Sequence, residues 1–146
     1  MPTQKIYLVA VDGSEWGNRA ADYAVSMAKQ TGARIRMITV IPWSSNDSTD
    51  EVVYHTDNGG KEEEKDYANN NILAPIIEKH KDSGVAIESE YLWGKPVEVI
   101  HKRAKETKAN QIFVGRRGRS RFANLVLGSV ANSLAHTVGK PITLVP

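Results

Sequence analysis

Apolar and polar positions alternate between two periods along the chain. Ile6 to Val11 is a continuous apolar run stopped by Asp12-Gly13-Ser14, the pattern of a strand buried on both faces. Ser14 predicts a helix N-cap, because its hydroxyl can accept from an orphan amide of the first turn. Ala20, Ala24, Met27 and Ala28 then form a helical stripe, and Gly32 supplies a stop. Arg34 to Ile41 alternates and is rich in β-branched residues; Pro42, which cannot donate to a ladder, ends it. Trp43 to Gly60 has little periodicity and predicts a long loop, the least ordered part of the chain. Lys61 to Lys81 predicts a helix with Ala68, Ile72, Ile76, Ile77 and His80 on one face, kinked at Pro75, weakened by Asn69-Asn70-Asn71 and closed by Gly84. Val85 to Trp93 predicts a strand, and Pro96 opens a helix with Val97, Ile100 and Ala104 inward. Gln111 to Val114 is the next strand. After a glycine- and arginine-rich loop, Leu127, Val130, Leu134 and Val138 mark the last helix, and Pro141 to Val145 is the last strand.

Strict strand–helix alternation predicts an α/β fold with a parallel sheet and right-handed crossovers. The 146 residues suit one domain spanning 1–146, and no internal repeat is visible. In open sheets of this kind, ligands bind beyond the carboxyl ends of the strands, where strand order reverses. Two loops stand at such ends: Asp12-Gly13-Ser14 after the first strand, and Val114-Gly115-Arg116-Arg117-Gly118 after the fourth. If those strands are neighbours wound in opposite directions, the loops face one crevice.

Composition narrows the chemistry. There is no cysteine, which excludes disulfides, thiolate metal sites and a thiol nucleophile. With Lys+Arg 19 against Asp+Glu 17 the net charge is only +2, so the average charge selects no partner. The distribution is uneven. Asp50 to Asp66 holds seven acids and two lysines, net −5, and is expected to be solvated surface. Lys102 to Arg121 holds eight bases and one acid, net +7. No apolar run approaches the roughly 20 residues of a membrane span. The first apolar run also lacks the length and cleavage site of a signal peptide, so a cytoplasmic protein is expected.

The fourth-strand loop has the spacing Gly115-x2-Gly118-x9-Gly128-Ser129. Gly115 and Gly118 are expected to let backbone amides turn inward to an anion, and Gly128 and Ser129 to add the orphan amides of a helix start. Helix N-termini favour anions through those amides and the macrodipole. The pattern is a phosphate cradle. It is not a Walker loop, because Gly139-Lys140 is followed by Pro141, and it is not a dinucleotide fingerprint, because no G-x-G-x-x-G follows the first strand.

These pieces together resemble the universal stress protein family along essentially the whole chain. The matching residues are Val9-Ala10-Val11-Asp12-Gly13-Ser14, the alanine-rich first helix, Gly94-x-Pro96, the Gly115/Gly118/Gly128/Ser129 spacing of the family's ATP-binding branch, and Pro141-Ile142-Thr143-Leu144-Val145. The resemblance implies a doubly wound, five-stranded parallel sheet in order 3-2-1-4-5 flanked by four helices, adenine-nucleotide alpha-hydrolase-like, and dimeric through the last strand. It implies that Asp12 bonds the nucleoside, that Val40 meets adenine through its backbone, and that Val114, Gly115, Arg117 and Gly118 line ribose and phosphates. It also implies that Gly128, Ser129 and Val130 hold the phosphates. Two departures stand out. Asn110 replaces a frequent acid, with a capping role retained. Arg116, Arg117, Arg119 and Arg121 make the loop unusually basic, and one or two of them are expected to reach the ligand.

The expected function is therefore an ATP-binding regulatory or stress-response module, with ATP, ADP or AMP as ligand and Mg²⁺ held by phosphates, water and Ser129. The segment around Trp43–Gly60 is the expected switch element. Slow ATPase or nucleotidyl-transfer activity on the same site is the alternative, although no residue beyond Asp12 suggests itself for positioning water. None of His55, His80, His101 and His136 pairs with a serine and an acid, and His80 is expected to be a satisfied, half-buried residue. Nucleic-acid binding through the +7 segment is less favoured, because Phe122 is the single aromatic beside the arginines. An apolar terminal strand at a sheet edge is a pairing hazard, so a homodimer through that strand is expected, although Pro141 and Pro146 would also blunt a short edge.

Overall fold

The computed structural model of the chain describes residues 4–42, 58–118 and 127–146; for 58–61 it describes the backbone alone. The strands are β1 (Ile6–Ala10), β2 (Arg34–Ile41), β3 (Ile87–Trp93), β4 (Gln111–Gly115) and β5 (Ile142–Val145). They form one parallel sheet in the order β3-β2-β1-β4-β5. The helical elements are α1 (Glu15–Thr31), a long element between β2 and β3, α4 (Pro96–Glu106) and α5 (Ser129–Thr137). The long element begins as α2 (Asn58–Tyr67), passes through a π-helical stretch (Ala68–Leu73) and resumes as α3 (Ala74–Lys79). The described residues thus carry the five strands and four helical elements that the resemblance implies.

Period-2 alternation divides the sheet into two apolar layers. Tyr7, Val9, Met37 and Phe113 face α1 and the π-helical stretch, while Leu8, Ile38 and Ile112 face α4 and α5. The alanines at 20, 21, 24 and 28 let α1 lie close on the sheet. Phe113, fully buried, meets Tyr7 with ring centroids 4.9 Å apart. Toward β3 the second layer gives way to ion pairs: Arg36 reaches Glu88 at 3.2 Å and Glu90 at 3.4 Å, and Arg103 of α4 also bonds Glu90.

Local signals account for the element ends. Ser14 caps α1, its hydroxyl accepting from the Gly17 N–H at 3.1 Å, and Gly32 closes the helix at φ 78°, its N–H donating to the Ala28 carbonyl. Pro96 opens α4 as expected. Asn110 does cap, but caps a strand: its Oδ1 accepts from the Ile6 N–H at 2.9 Å, while its own N–H donates to the Ile6 carbonyl at 2.8 Å. This pair fixes β4 beside β1 at their amino ends.

The helix between β2 and β3 differs from expectation. Proline at 75 cannot donate, and in an α-helix its ring would crowd the carbonyl four residues back. The preceding turn is instead widened to π geometry, the Ala74 N–H donating to the Asn69 carbonyl five residues earlier. The helix also begins at Asn58 rather than Lys61, and the last one ends at Thr137, with Val138 already extended. No helix among the described residues is long and apolar enough to cross a membrane.

Candidate functional site

Strand overhang creates the site. The last β1 residue to pair is Ala10, opposite Ile38 of β2 and Val114 of β4. β2 continues through Thr39, Val40 and Ile41, and β4 through Gly115. A cleft therefore opens beyond β1, where the order of strands reverses. The main chain of Val40 lies past the last β1 pair, on the wall of that cleft.

The chain leaving β1 turns at Gly13, whose φ of 86° is left-handed. This turn places Asp12 before α1. Asp12 Oδ1 accepts from the Ser14 N–H at 2.9 Å and from the Ser14 hydroxyl at 2.5 Å. The carboxylate is thereby fixed near the amino end of α1, where the dipole favours negative charge. Its Oδ2 faces the glycine loop, since a Cβ placed on Gly118 would lie 2.9 Å from it.

On the far wall, Gly128 is the N-cap of α5. It donates to the Arg116 carbonyl at 2.8 Å and offers no side chain to the first-turn amides. Ser129 and Val130 begin the helix on the cavity wall. The third wall belongs to α2 and the π-helical stretch, which contribute Glu63, Glu64, Tyr67, Ala68 and Ile72. The volume of the cleft is about 580 Å³, within the usual range for a small-molecule site, about 300–1,000 Å³.

Asp12, Val40, Val114, Gly115, Arg117, Gly118, Gly128, Ser129 and Val130 all line this one cavity. The loop glycines also have a steric reason that the spacing alone does not reveal. The left-handed glycines are Gly13, Gly32, Gly84 and Gly94. Gly115 is instead constrained by contact: a Cβ there would lie 2.7 Å from the Trp16 Cβ and 2.9 Å from the Arg117 carbonyl. Gly118 is constrained by the Asp12 carboxylate, whereas at Gly128 the nearest atoms are 3.4 Å away, an ordinary contact. The first two glycines therefore seat the loop on α1 and Asp12, and Gly128 alone has room beside it.

Of the four arginines, Arg117 is on the cavity wall and Arg116 is exposed off it; Arg119, Arg121 and Phe122 lie outside the described residues. So do Trp43–Asp57, including His55, and with them most of the expected switch element. Glu63 and Glu64 of the acidic segment are exposed, as expected of solvated surface, and also border the cavity. Sequence reasoning missed these two and Tyr67. No local signal pointed to them: Tyr67 and Glu63 stand five and nine residues before Ile72, on other faces of a plain α-helix, and the π-helical stretch between them is what brings them to one wall.

The described histidines lie off the cavity wall. His80 is 13 % exposed, with Nε2 2.8 Å from Asp22 Oδ1, while Lys79 Nζ donates to Oδ2 at 2.8 Å. Burial pushes the Asp22 carboxyl up, but the bonds from Lys79 and His80 outweigh it and hold the group below its ordinary 3.8. His101 Nε2 lies 3.3 Å from the Thr137 carbonyl.

Comparison with known proteins places this geometry. A model of the universal stress protein family matches residues 4–146. The chain is similar to the universal stress protein YxiE of Bacillus subtilis, 32 % identical over 143 residues, covering 94 % of this chain and 96 % of that protein. It shares its fold with the universal stress protein UspA of Lactobacillus plantarum, with a TM-score of 0.77, 19 % identity and full coverage of both chains. The same fold occurs in a universal stress protein solved in complex with cAMP, with a TM-score of 0.67, 24 % identity and coverage of 99 % and 98 %. The universal stress protein of Archaeoglobus fulgidus, solved in complex with dAMP, has a TM-score of 0.62, 22 % identity and full coverage of both chains.

Proposed function

The chain belongs to the universal stress protein family, and from that premise we propose that its cavity binds an adenine nucleotide, ATP foremost, in a regulatory stress-response role. The observation that carries this reading is the shared cavity of two unlike walls. One holds the first turn of α5, whose N-cap glycine brings no side chain to its amides, a natural seat for phosphate oxygens. The other holds the overhanging end of β2, where apolar side chains flank exposed main chain suited to a base edge. Proteins of the same fold solved with cAMP and with dAMP add support.

In this reading adenine lies against Val40, and Asp12 accepts a hydrogen bond from a ribose hydroxyl. Gly118, Gly128, Ser129 and Val130 face the phosphates, Arg117 adds positive charge, and Val114 and Gly115 shape the floor. Mg²⁺ would arrive with the triphosphate and draw on the Ser129 hydroxyl. Pairing of the β5 edge with a second copy belongs to the same proposal, and light scattering tests it.

The direct test is mass spectrometry of whatever co-purifies, followed by titration calorimetry with ATP, ADP and AMP. Wild-type protein is expected to bind ATP. Gly128→Val, placed where an added Cβ meets nothing closer than 3.4 Å, is expected to lose that affinity with its circular dichroism unchanged. Equal ATP affinity in the two proteins removes the site assignment. A second reading, slow hydrolysis, draws on Glu63 and Glu64 beside the cavity, since a carboxylate there would orient water. Steady-state phosphate release that disappears in Gly128→Val would favour it.

A further inference from the structure

Trp16 is a half-buried residue in the first turn of α1 and is not on the cavity wall. Two separate contacts nevertheless join it to the glycine loop. Backbone meets backbone at Gly115, where an added Cβ would lie 2.8 Å from the Trp16 carbonyl carbon. Above that contact, the Arg117 guanidinium carbon lies 5.4 Å from the centroid of the Trp16 ring. Arg19 also faces this ring, at 6.0 Å, and is bonded to Glu15.

A guanidinium within about 6 Å of an aromatic face is attracted by the ring quadrupole, and indole is the strongest of the aromatic partners. Arginine also carries a large rotamer entropy, so a flat surface that already holds it lowers the ordering cost when an anion arrives. Among the described residues Arg117 is the one base on the cavity wall, and a positive charge there favours the more highly charged triphosphate over a monophosphate.

We infer that Trp16 is a positioning residue whose indole face holds Arg117 at the cavity, and that this pair sets how well the site distinguishes a nucleoside triphosphate from a monophosphate. The inference rests on the adenine-nucleotide reading and extends it to a selectivity determinant outside the cavity wall.

The test compares ATP, AMP and inorganic tripolyphosphate by calorimetry on wild type, Trp16→Leu, Trp16→Phe, Arg117→Ala and the Trp16→Leu/Arg117→Ala double variant. Arg19→Ala serves as a control for charge lost near the ring. Trp16→Leu is expected to weaken ATP and tripolyphosphate about two- to five-fold and to leave AMP unchanged. The double variant is expected to be no weaker than Arg117→Ala alone. Trp16→Phe, which keeps an aromatic ring for Arg117, is expected to recover part of the loss, and Arg19→Ala to match wild type. If circular dichroism shows Trp16→Leu unfolded, Trp16→Phe in the wild-type and Arg117→Ala backgrounds carries the same comparison, with a smaller loss expected in the first and none in the second. Equal losses for ATP and AMP, or additive losses in the double variant, overturn the inference. If ATP binds and Trp16 variants match wild type, the inference fails and the nucleotide reading stands. If tripolyphosphate binds with the expected coupling while no adenylate does, the nucleotide reading fails and the Trp16–Arg117 pairing survives. Wild-type protein that binds none of the three ligands overturns both.

Discussion

Alanine substitution at Gly115, Gly118 and Gly128 should destabilise the unliganded protein in that order, because the new methyl groups meet obstacles of different stiffness. At Gly115 the neighbours at 2.7–2.9 Å include the Trp16 carbonyl carbon and the Arg117 carbonyl, backbone atoms on two sides that cannot both yield. Overpacking of that kind costs about 3 kcal/mol. At Gly118 the obstacle is one carboxylate oxygen at 2.9 Å, but the carboxylate is tied through its other oxygen to Ser14. Moving it costs on the order of one charge-assisted hydrogen bond, about 1.5 kcal/mol. At Gly128, with φ −66° and 3.4 Å of clearance, the cost is the weaker N-capping of alanine, about 1 kcal/mol or less. For a chain of this length each kcal/mol lowers Tm by about 2–4 °C. The Gly115 and Gly118 variants should therefore melt about 6–12 °C and 3–6 °C low, respectively. Thermal melts at fixed pH without nucleotide give the ranking. An Asp12→Ala/Gly118→Ala double-mutant cycle gives the cause, because removing the carboxylate should relieve most of the Gly118→Ala penalty, a coupling of about 1 kcal/mol. An inverted ranking, or a Gly118→Ala penalty that persists in full without Asp12, refutes the steric account of the loop.

Other outcomes follow from particular contacts. Asp22→Asn should cost about 0.5 kcal/mol at pH 7, a small value because the carboxylate is partly exposed and screened. Since the folded carboxyl titrates below 3.8, its contribution is complete above that value and disappears as pH falls through the lower folded pKa. Urea melts of the two proteins should therefore converge below about pH 3.8, and a pH-independent gap would contradict the pairing. Phe113→Ala, which empties the middle of the α1 layer, should cost about 3–5 kcal/mol in the same assay, and a loss under 1 kcal/mol would mean the layer refills. Ser129→Ala should weaken ATP by no more than about ten-fold, less than Gly128→Val, if backbone amides rather than the hydroxyl hold the phosphates; a larger loss reverses that assignment.

What the sequence made legible was what local chemistry decides. The bounds of β2, the Ser14 cap, the Gly32 stop and the Pro96 start each follow from one or two residues and a period. The Asp12 turn and the Gly115, Gly118, Gly128 and Ser129 spacing were legible from local pattern, whereas Val40, Val114, Arg117 and Val130, and the strand order that brings all nine to one cavity, were implied by the family resemblance. Features set by tertiary packing were not legible. Gly115 looks like any loop glycine until Trp16 is seen against it. Glu63 and Glu64 read as solvated charge, and both are exposed; that they also border the cavity depends on the π-helical stretch, which the residue pattern does not announce. Pro75 announced a defect, but whether the helix would bend or widen depended on where Ile72 and Ile76 had to be buried.

That widened turn makes the helix a rotary coupling. One surplus residue is carried between Ala68 and Leu73, and each residue of an α-helix advances the side chains by about 100°. Deleting one asparagine from the 69–71 run would restore a plain α-helix while Ile76 stays seated. Everything upstream would swing through that angle, and Glu63, Glu64 and Tyr67 would turn off the cavity as a set. The chemistry of one wall is thus indexed by a single residue of chain length, so an insertion or deletion there would re-face the pocket without touching the sheet.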